Sequence, residues 1–272
     1  MVKKNEYPHE VRVNKNYWAI ILGGSRGLGL ATAQKLAKHG YNICIVHRDR
    51  KSDLESIYKE FEFIKNENVE LLTFNIDAFN VDKRKEIINK LKEVLGRVSY
   101  VKVLIHSVAK GNLKPMISEN DNTLKNDDFH LTLDAMAISL YDWAKAIFDA
   151  KLFASDARII SYTSEGNTKA WRNYAAVSAA KTALEAITRN IALEFAPFGI
   201  KANCIQAGVT DTASLRMIPG SDKIKEYSLK RNPFKRLTTP QDVANVAYLL
   251  CKEEAAWING VIIPVDGGEH IS

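Results

Sequence analysis

The chain has 272 residues, 46% of them hydrophobic, and a formal net charge of +6. That length and apolar content suit one large α/β unit with a sizeable core. The lysines are interspersed with acids rather than massed, which argues against a nucleic-acid partner.

The opening MVKKNEYPHEVRVNKN is polar and lacks the apolar stretch of a secretion signal. No later run reaches the length of a membrane span, so a cytoplasmic protein with no membrane partner is expected. Residues 1–16 read as a polar tail, and 17–272 as a single dinucleotide-binding and catalytic domain. From there, apolar runs at 17–22, 42–46, 70–74, 101–106, 157–162, 201–206 and 261–265 read as strands. Amphipathic patterns at 28–39, 52–66, 82–95, 129–150, 174–195 and 240–251 read as helices. Continuous apolar strands imply burial on both faces. The expected fold is therefore α/β, a single doubly wound Rossmann-type domain with a seven-stranded parallel sheet between two helix layers. The Asn/Asp-rich segment 110–128 reads as a long loop. Cys44 and Cys204 sit inside apolar runs and read as buried thiols of a reducing compartment; Cys251 is far from both. Neither the cysteines nor the scattered histidines have ligand spacing, so no metal is expected.

After the first strand comes GGSRGLG, residues 23–29, and then a helix. Gly23, Gly27 and Gly29 allow a sharp turn and close backbone approach. With Ser25 and Leu28 they would cradle a pyrophosphate at the helix N-terminus. A tight turn without ligand is the plainer alternative, but the strand–glycine–helix context favours a dinucleotide. The second strand ends in IVHRDR, with His47 where a ribose-binding carboxylate would stand. Arg48 follows it, and Arg26 lies inside the glycine loop. Two guanidinium forks suit a 2′-phosphate, so NADPH is the expected cofactor. Arg48 as a solvated surface group, with Asp49 on the ribose, is the NADH alternative.

The segment NYAAVSAAK places Tyr174 seven residues before Lys181, with Val177 between them. On a helix seven residues return to nearly the same face, with the two Cα atoms about 10 Å apart. Such a pair could reach one cofactor from its two ends. Reducing an α,β-unsaturated thioester sends hydride to the β carbon and negative charge to the carbonyl oxygen. A tyrosine one turn further along the helix could meet that oxygen. A nearby lysine cation would lower the tyrosine pKa and stabilise the oxyanion. Alternatively Tyr174 only packs at the helix start and Lys181 is a solvated charge.

These motifs, with HSVA at 106–109, QAGVTDT at 206–212, VDGG at 265–268 and PFKRLTTPQDVANVAYLL at 233–250, resemble the short-chain dehydrogenase/reductase superfamily. Within it the chain looks most like the enoyl-acyl-carrier-protein reductases, whose signature is tyrosine, six residues, lysine. The resemblance implies catalytic roles for Tyr174 and Lys181, with Ser164 where many enoyl reductases carry a second aromatic. Tyr162, two residues earlier, should point elsewhere. Met136 falls near the slot of the superfamily's catalytic asparagine. The resemblance further implies that Asn75 and Ile76 flank the adenine. Ser107, Val108 and Ala109 should line the nicotinamide-side ribose, and Lys181 should hydrogen-bond that ribose. Gly208 and Thr210 should hold the carboxamide, and Thr212 should lie near the pyrophosphate. Residues 213–230 should form a mobile substrate-covering loop, and copies should assemble as a homotetramer or homodimer.

Residues 223–236 set Lys223, Lys225, Lys230, Arg231, Lys235 and Arg236 against one glutamate, Glu226. They could be a landing patch for an acidic acyl carrier protein, or an ordinary solvated loop. Three functions follow: NADPH-dependent reduction of a 2-enoyl thioester in fatty acid biosynthesis, ketone reduction by a relative with a displaced tyrosine, or a non-catalytic NADP sensor.

Overall fold

The computed structural model describes residues 16–119 and 122–272, so the tail expected over residues 1–16 lies almost wholly outside the described residues. Seven parallel strands pair in the order β3-β2-β1-β4-β5-β6-β7. They are β1 (Tyr17–Leu22), β2 (Asn42–His47), β3 (Leu71–Asn75), β4 (Tyr100–His106), β5 (Phe153–Ser164), β6 (Ile200–Ala207) and β7 (Ile262–Val265).

Alternation within each strand divides the core into two. Ile20, Leu22 and Leu104 pack with Ile87 and Leu91 of α3 (Val81–Leu95), Trp143 of α5 (Ser139–Asp149) and Leu184 of α6 (Ala175–Glu194). Ala19, Ile21 and Ile105 pack with Leu36 of α1 (Gly27–Lys38), Ile57 and Phe61 of α2 (Leu54–Lys65), and Val243 of α9 (Pro240–Leu250). Burying strands on both faces removes their apolar side chains from water twice over, which is why the runs carry almost no polar residue. All three cysteines are free and buried. No helix among the described residues is long and apolar enough to cross a membrane.

Three local features differ from the expectations. The helix expected over 129–150 is α4 (Asn126–Leu133), a π-turn over Asp134–Ile138, and α5. The π-turn keeps Met136 and Ser139 both buried, where they face different neighbours. β5 begins earlier than its apolar run, because Phe153 pairs with Val101 before the register shifts at Val103–Arg158. Most of residues 213–230, expected as a mobile loop, is helical: α7 (Ala213–Arg216) and α8 (Ser221–Arg231). Thr212 Oγ1 accepts from Leu215 N at 3.2 Å, and Gly220 takes a left-handed φ of 81° between the two helices.

The basic cluster is also changed by folding. Arg231 is buried against Glu165 and Glu269, Arg236 pairs with Asp242, Lys230 with Glu226 and Lys225 with Asp222. It is largely neutralised from within, so it is not the free cationic patch that its composition suggests.

Candidate active site

A cavity of about 980 Å3 crosses the carboxyl ends of the strands, where β1 and β4 separate connections running in opposite directions. This is the crevice in which doubly wound sheets hold ligands.

Its floor at one end is the glycine turn. Gly23 has φ 79° and donates its N–H to Val46 O at 2.8 Å. A Cβ there would stand 2.3 Å from Ser107 O, and one on Gly29 would stand 2.2 Å from Gly23 O. Only bare backbone lets these segments approach. The turn delivers the first N–H groups of α1 to the cavity, and these have no partner within the helix. Gly27 has φ 55°, and a Cβ there would stand 3.4 Å from the Thr212 methyl. The cradle therefore fits a pyrophosphate. Ser25, Arg26 and Leu28 line it, whereas Gly29 shapes it from behind.

At the end of β2 both arginines face the cavity, but both hold carboxylates. Arg26 contacts Asp49 at 3.3 Å and Asp53 at 2.8 Å; Arg48 contacts Asp77 at 2.6 Å. His47 is buried, with Nδ1 2.8 Å from Asp49, and its Nε2 has no hydrogen-bond partner. Burial pushes the Asp49 carboxyl up, but hydrogen bonds from Ser25 and His47 and the Arg26 charge outweigh it and hold it below its usual range. Asn75 does not line the cavity. Its amide brackets the backbone of Asp49, accepting from its N–H at 2.9 Å and donating to its C=O at 3.2 Å. Ile76 does line the cavity, as do Ser107, Val108 and Ala109 after β4 and Gly208, Thr210 and Thr212 after β6.

The other end carries Tyr174 and Lys181. Tyr174 is the residue before α6 rather than inside it, so α6 presents only the lysine. Lys181 Nζ donates to Tyr162 O at 2.5 Å, and burial pulls its pKa down to about 8. Tyr174 Oη lies 3.5 Å from Ser164 Oγ. Burial pushes the phenol up, only partly offset by that serine, so the lysine does not lower it as expected. A Cβ on Gly166 would come within 2.5 Å of the Tyr174 ring, so Gly166 lets the turn lie flat on it. The Tyr162 ring borders the cavity, but its hydroxyl turns away to Thr32 at 2.6 Å. Thr32 donates to Leu28 O, so the Tyr162 O–H is the donor in that pair.

Glu185, Gly111, Leu113 and Trp171 carried no clear sequence signal. Glu185, one turn beyond Lys181, accepts from Thr163 Oγ1 at 2.6 Å and Asn167 Nδ2 at 2.5 Å, fixing the turn after Ser164. Met136, Val177, Trp171 and Leu113 make an apolar wall beside Tyr174. Gly111 packs so tightly there that a Cβ would lie 2.6 Å from Val177 and 3.0 Å from Met136.

The chain is an NAD(P)H-dependent oxidoreductase of the short-chain dehydrogenase/reductase class, as the family model over most of its length shows. More narrowly, it belongs to the family described as enoyl-(acyl carrier protein) reductase, whose model matches residues 23–270. It is 29% identical to the 3-oxoacyl-[acyl-carrier-protein] reductase FabG of Staphylococcus epidermidis, over 94% of this chain and all of that one. It is 26% identical to the peroxisomal 2,4-dienoyl-CoA reductase SPS19 of Saccharomyces cerevisiae, over 92% of this chain and 82% of that one. The structure of FabI from Candidatus Liberibacter asiaticus superposes with a TM-score of 0.82 at 22% identity, covering 96% of this chain and 97% of that one.

Proposed function

We propose that the protein reduces the carbon–carbon double bond of a 2-enoyl thioester with NADPH, as a step of fatty acid biosynthesis. The observation that carries this reading is the wall around Tyr174. Its hydroxyl stands before α6, while Val177, in the slot four residues before Lys181, packs against Gly111 and Met136. Val177 puts no phenol four residues before Lys181, so the tyrosine donor stands seven residues from the lysine instead.

Bound NADPH supplies the hydride, delivered to the β carbon. The chain's part is to hold and to neutralise. The glycine turn and the α1 N-terminus hold the pyrophosphate, and Lys181 holds the nicotinamide-side ribose. The backbone at Gly208 and Thr210 holds the carboxamide, and the apolar wall takes the acyl chain. Tyr174, kept protonated by burial, would donate a hydrogen bond to the thioester oxygen as charge develops on it, and a solvent proton taken up at the α carbon would complete the saturated product. The family description supports a carrier-protein thioester, and a relative named for dienoyl reduction supports carbon–carbon chemistry. Arg26 and Arg48 favour a 2′-phosphate, provided each exchanges an aspartate for it. Assembly into dimers or tetramers completes the reading.

A second reading is reduction of a 3-oxoacyl thioester. The FabG relative favours it, as does the Ser164 hydroxyl beside Tyr174. The test is oxidation of NADPH and of NADH with crotonyl and acetoacetyl thioesters, side by side. Turnover of the crotonyl ester with NADPH is expected. Turnover of the acetoacetyl ester alone would overturn the first reading in favour of the second.

A further inference from the structure

We infer that Arg231 is a positioning residue for the reaction, fixing three segments of the cavity to one another; the inference rests on the reductase reading above. Arg231 ends α8, and its side chain is only 7% exposed. Its Nη2 donates to Glu165 Oε1 at 2.6 Å and to Glu269 Oε1 at 2.8 Å. Glu165 directly follows Ser164. Glu269 Oε2 accepts from the N–H of Val209 at 3.4 Å, next to Thr210. One guanidinium nitrogen thus joins α8, which follows the cavity-lining α7, to the turn beside Tyr174 and to the loop after β6. Asn232 reinforces the joint by donating to Asp266 O at 2.8 Å.

Charge makes the joint specific. Two carboxylates converge on one nitrogen and would repel each other without it. Lys169 Nζ, 2.8 Å from Glu165 Oε2, is 41% exposed and offsets only one of them. The other groups facing the cluster are the Tyr227 ring, 5.4 Å from the guanidinium carbon, and the Asp266–His270 pair. A buried ionic trio is seldom more stable than an apolar one of equal volume, and its best-attested use is to fix register. Here the register is that of Ser164, Val209 and the substrate wall.

The experiment compares the full-length wild type with Arg231→Gln, using crotonyl thioester and NADPH. The variant's kcat should fall about a hundredfold, the scale of a 1 Å misplacement. NADPH affinity, followed by nicotinamide fluorescence, should change by less than about threefold, since Arg231 touches no pyrophosphate-binding group. Adding Glu269→Gln removes one of the two carboxylates left facing each other and should restore kcat about tenfold over the single variant. This double variant also serves if the single one does not fold. A folded Arg231→Gln with wild-type kcat, or a folded double variant no faster than the single one, overturns the inference. If the wild type turns over neither thioester, the reductase reading has failed instead. The joint is then judged by chymotryptic cleavage at Tyr227, which Arg231→Gln should accelerate; an unchanged cleavage rate overturns the inference.

Discussion

Tyr174 and Lys181 are moved apart in proton affinity by burial, the phenol upward and the ammonium down to about 8. The lysine is therefore the first of the two to lose its proton, and the tyrosine stays a donor at neutral pH. Tyr174→Phe should lower kcat by about a hundredfold, the range of a lost acid catalyst, while NADPH affinity is nearly unchanged in a fluorescence titration. Lys181→Ala should damage both kcat and affinity, because its ammonium reaches the cofactor ribose in the proposed complex. Burial of Lys181 also has a thermodynamic signature without cofactor. Its folded pKa of about 8 lies below the ordinary lysine value of 10.5, so between those values the unfolded chain binds the extra proton. Stability due to this group therefore rises with pH across that window and is lost as pH falls toward 8. In thermal melts, the advantage of wild type over Lys181→Met should grow from pH 8 to pH 10.5; a constant difference would contradict the burial. That both residues reach one cavity was legible from their spacing, although Tyr174 does so from the N-cap of α6 and not from within the helix. The direction of the tyrosine shift was not, because it depends on a turn at Gly166 and on solvent exclusion that no local pattern records.

Among the elements, the strands were readable because burial on both faces leaves an apolar run. The glycine turn was readable because bare backbone is a steric demand. α8 was not readable, since SDKIKEYSLKR is polar all round and reads as loop. Its order comes from i,i+3 and i,i+4 ion pairs and from Arg231, whose two partners lie 66 and 38 residues away in sequence. The start of α9 shows the opposite case, a sequence signal with a local cause. Thr239 Oγ1 accepts from Asp242 N at 3.2 Å, and Asp242 Oδ2 accepts from Thr239 N at 2.9 Å, a reciprocal capping box. Arg236, followed by those hydrogen bonds from Thr239, holds the Asp242 carboxyl down at about 2 despite partial burial. α9 packs against α1, which begins the phosphate cradle, so a frayed α9 loosens both. Thr239→Ala should cost about 1 kcal/mol in urea unfolding, the usual worth of such a cap.

At the scale of the molecule, the two cores leave apolar side chains outside. Trp257 is 99% exposed, Leu193 74% and Leu249 57%. Asn259 Nδ2 donates to Ala192 O at 2.9 Å, bringing the segment after Trp257 beside the end of α6. So large an exposed indole is costly in water and suits contact between copies. Light scattering should give a dimer or tetramer, and Trp257→Arg should lower that mass with kcat retained per folded chain.

The π-turn between α4 and α5 has a consequence for phase. It stores one residue more than a continuous α-helix would, so α4 and α5 are wound out of step by about a quarter turn. Thr132 and Met136 accordingly face Gly111, whereas Trp143 and Ile147 face the sheet. Removing Ala137 would take out the stored residue and close the bulge, leaving an unbroken helix with Trp143 still turned to the sheet. Winding all of the residues as α-helix would instead swing α5 about 100° on its axis, bringing Asp142 round to the direction Trp143 now takes. The substrate wall and the structural core thus read one stretch of chain in two different frames, separated by a single amino acid.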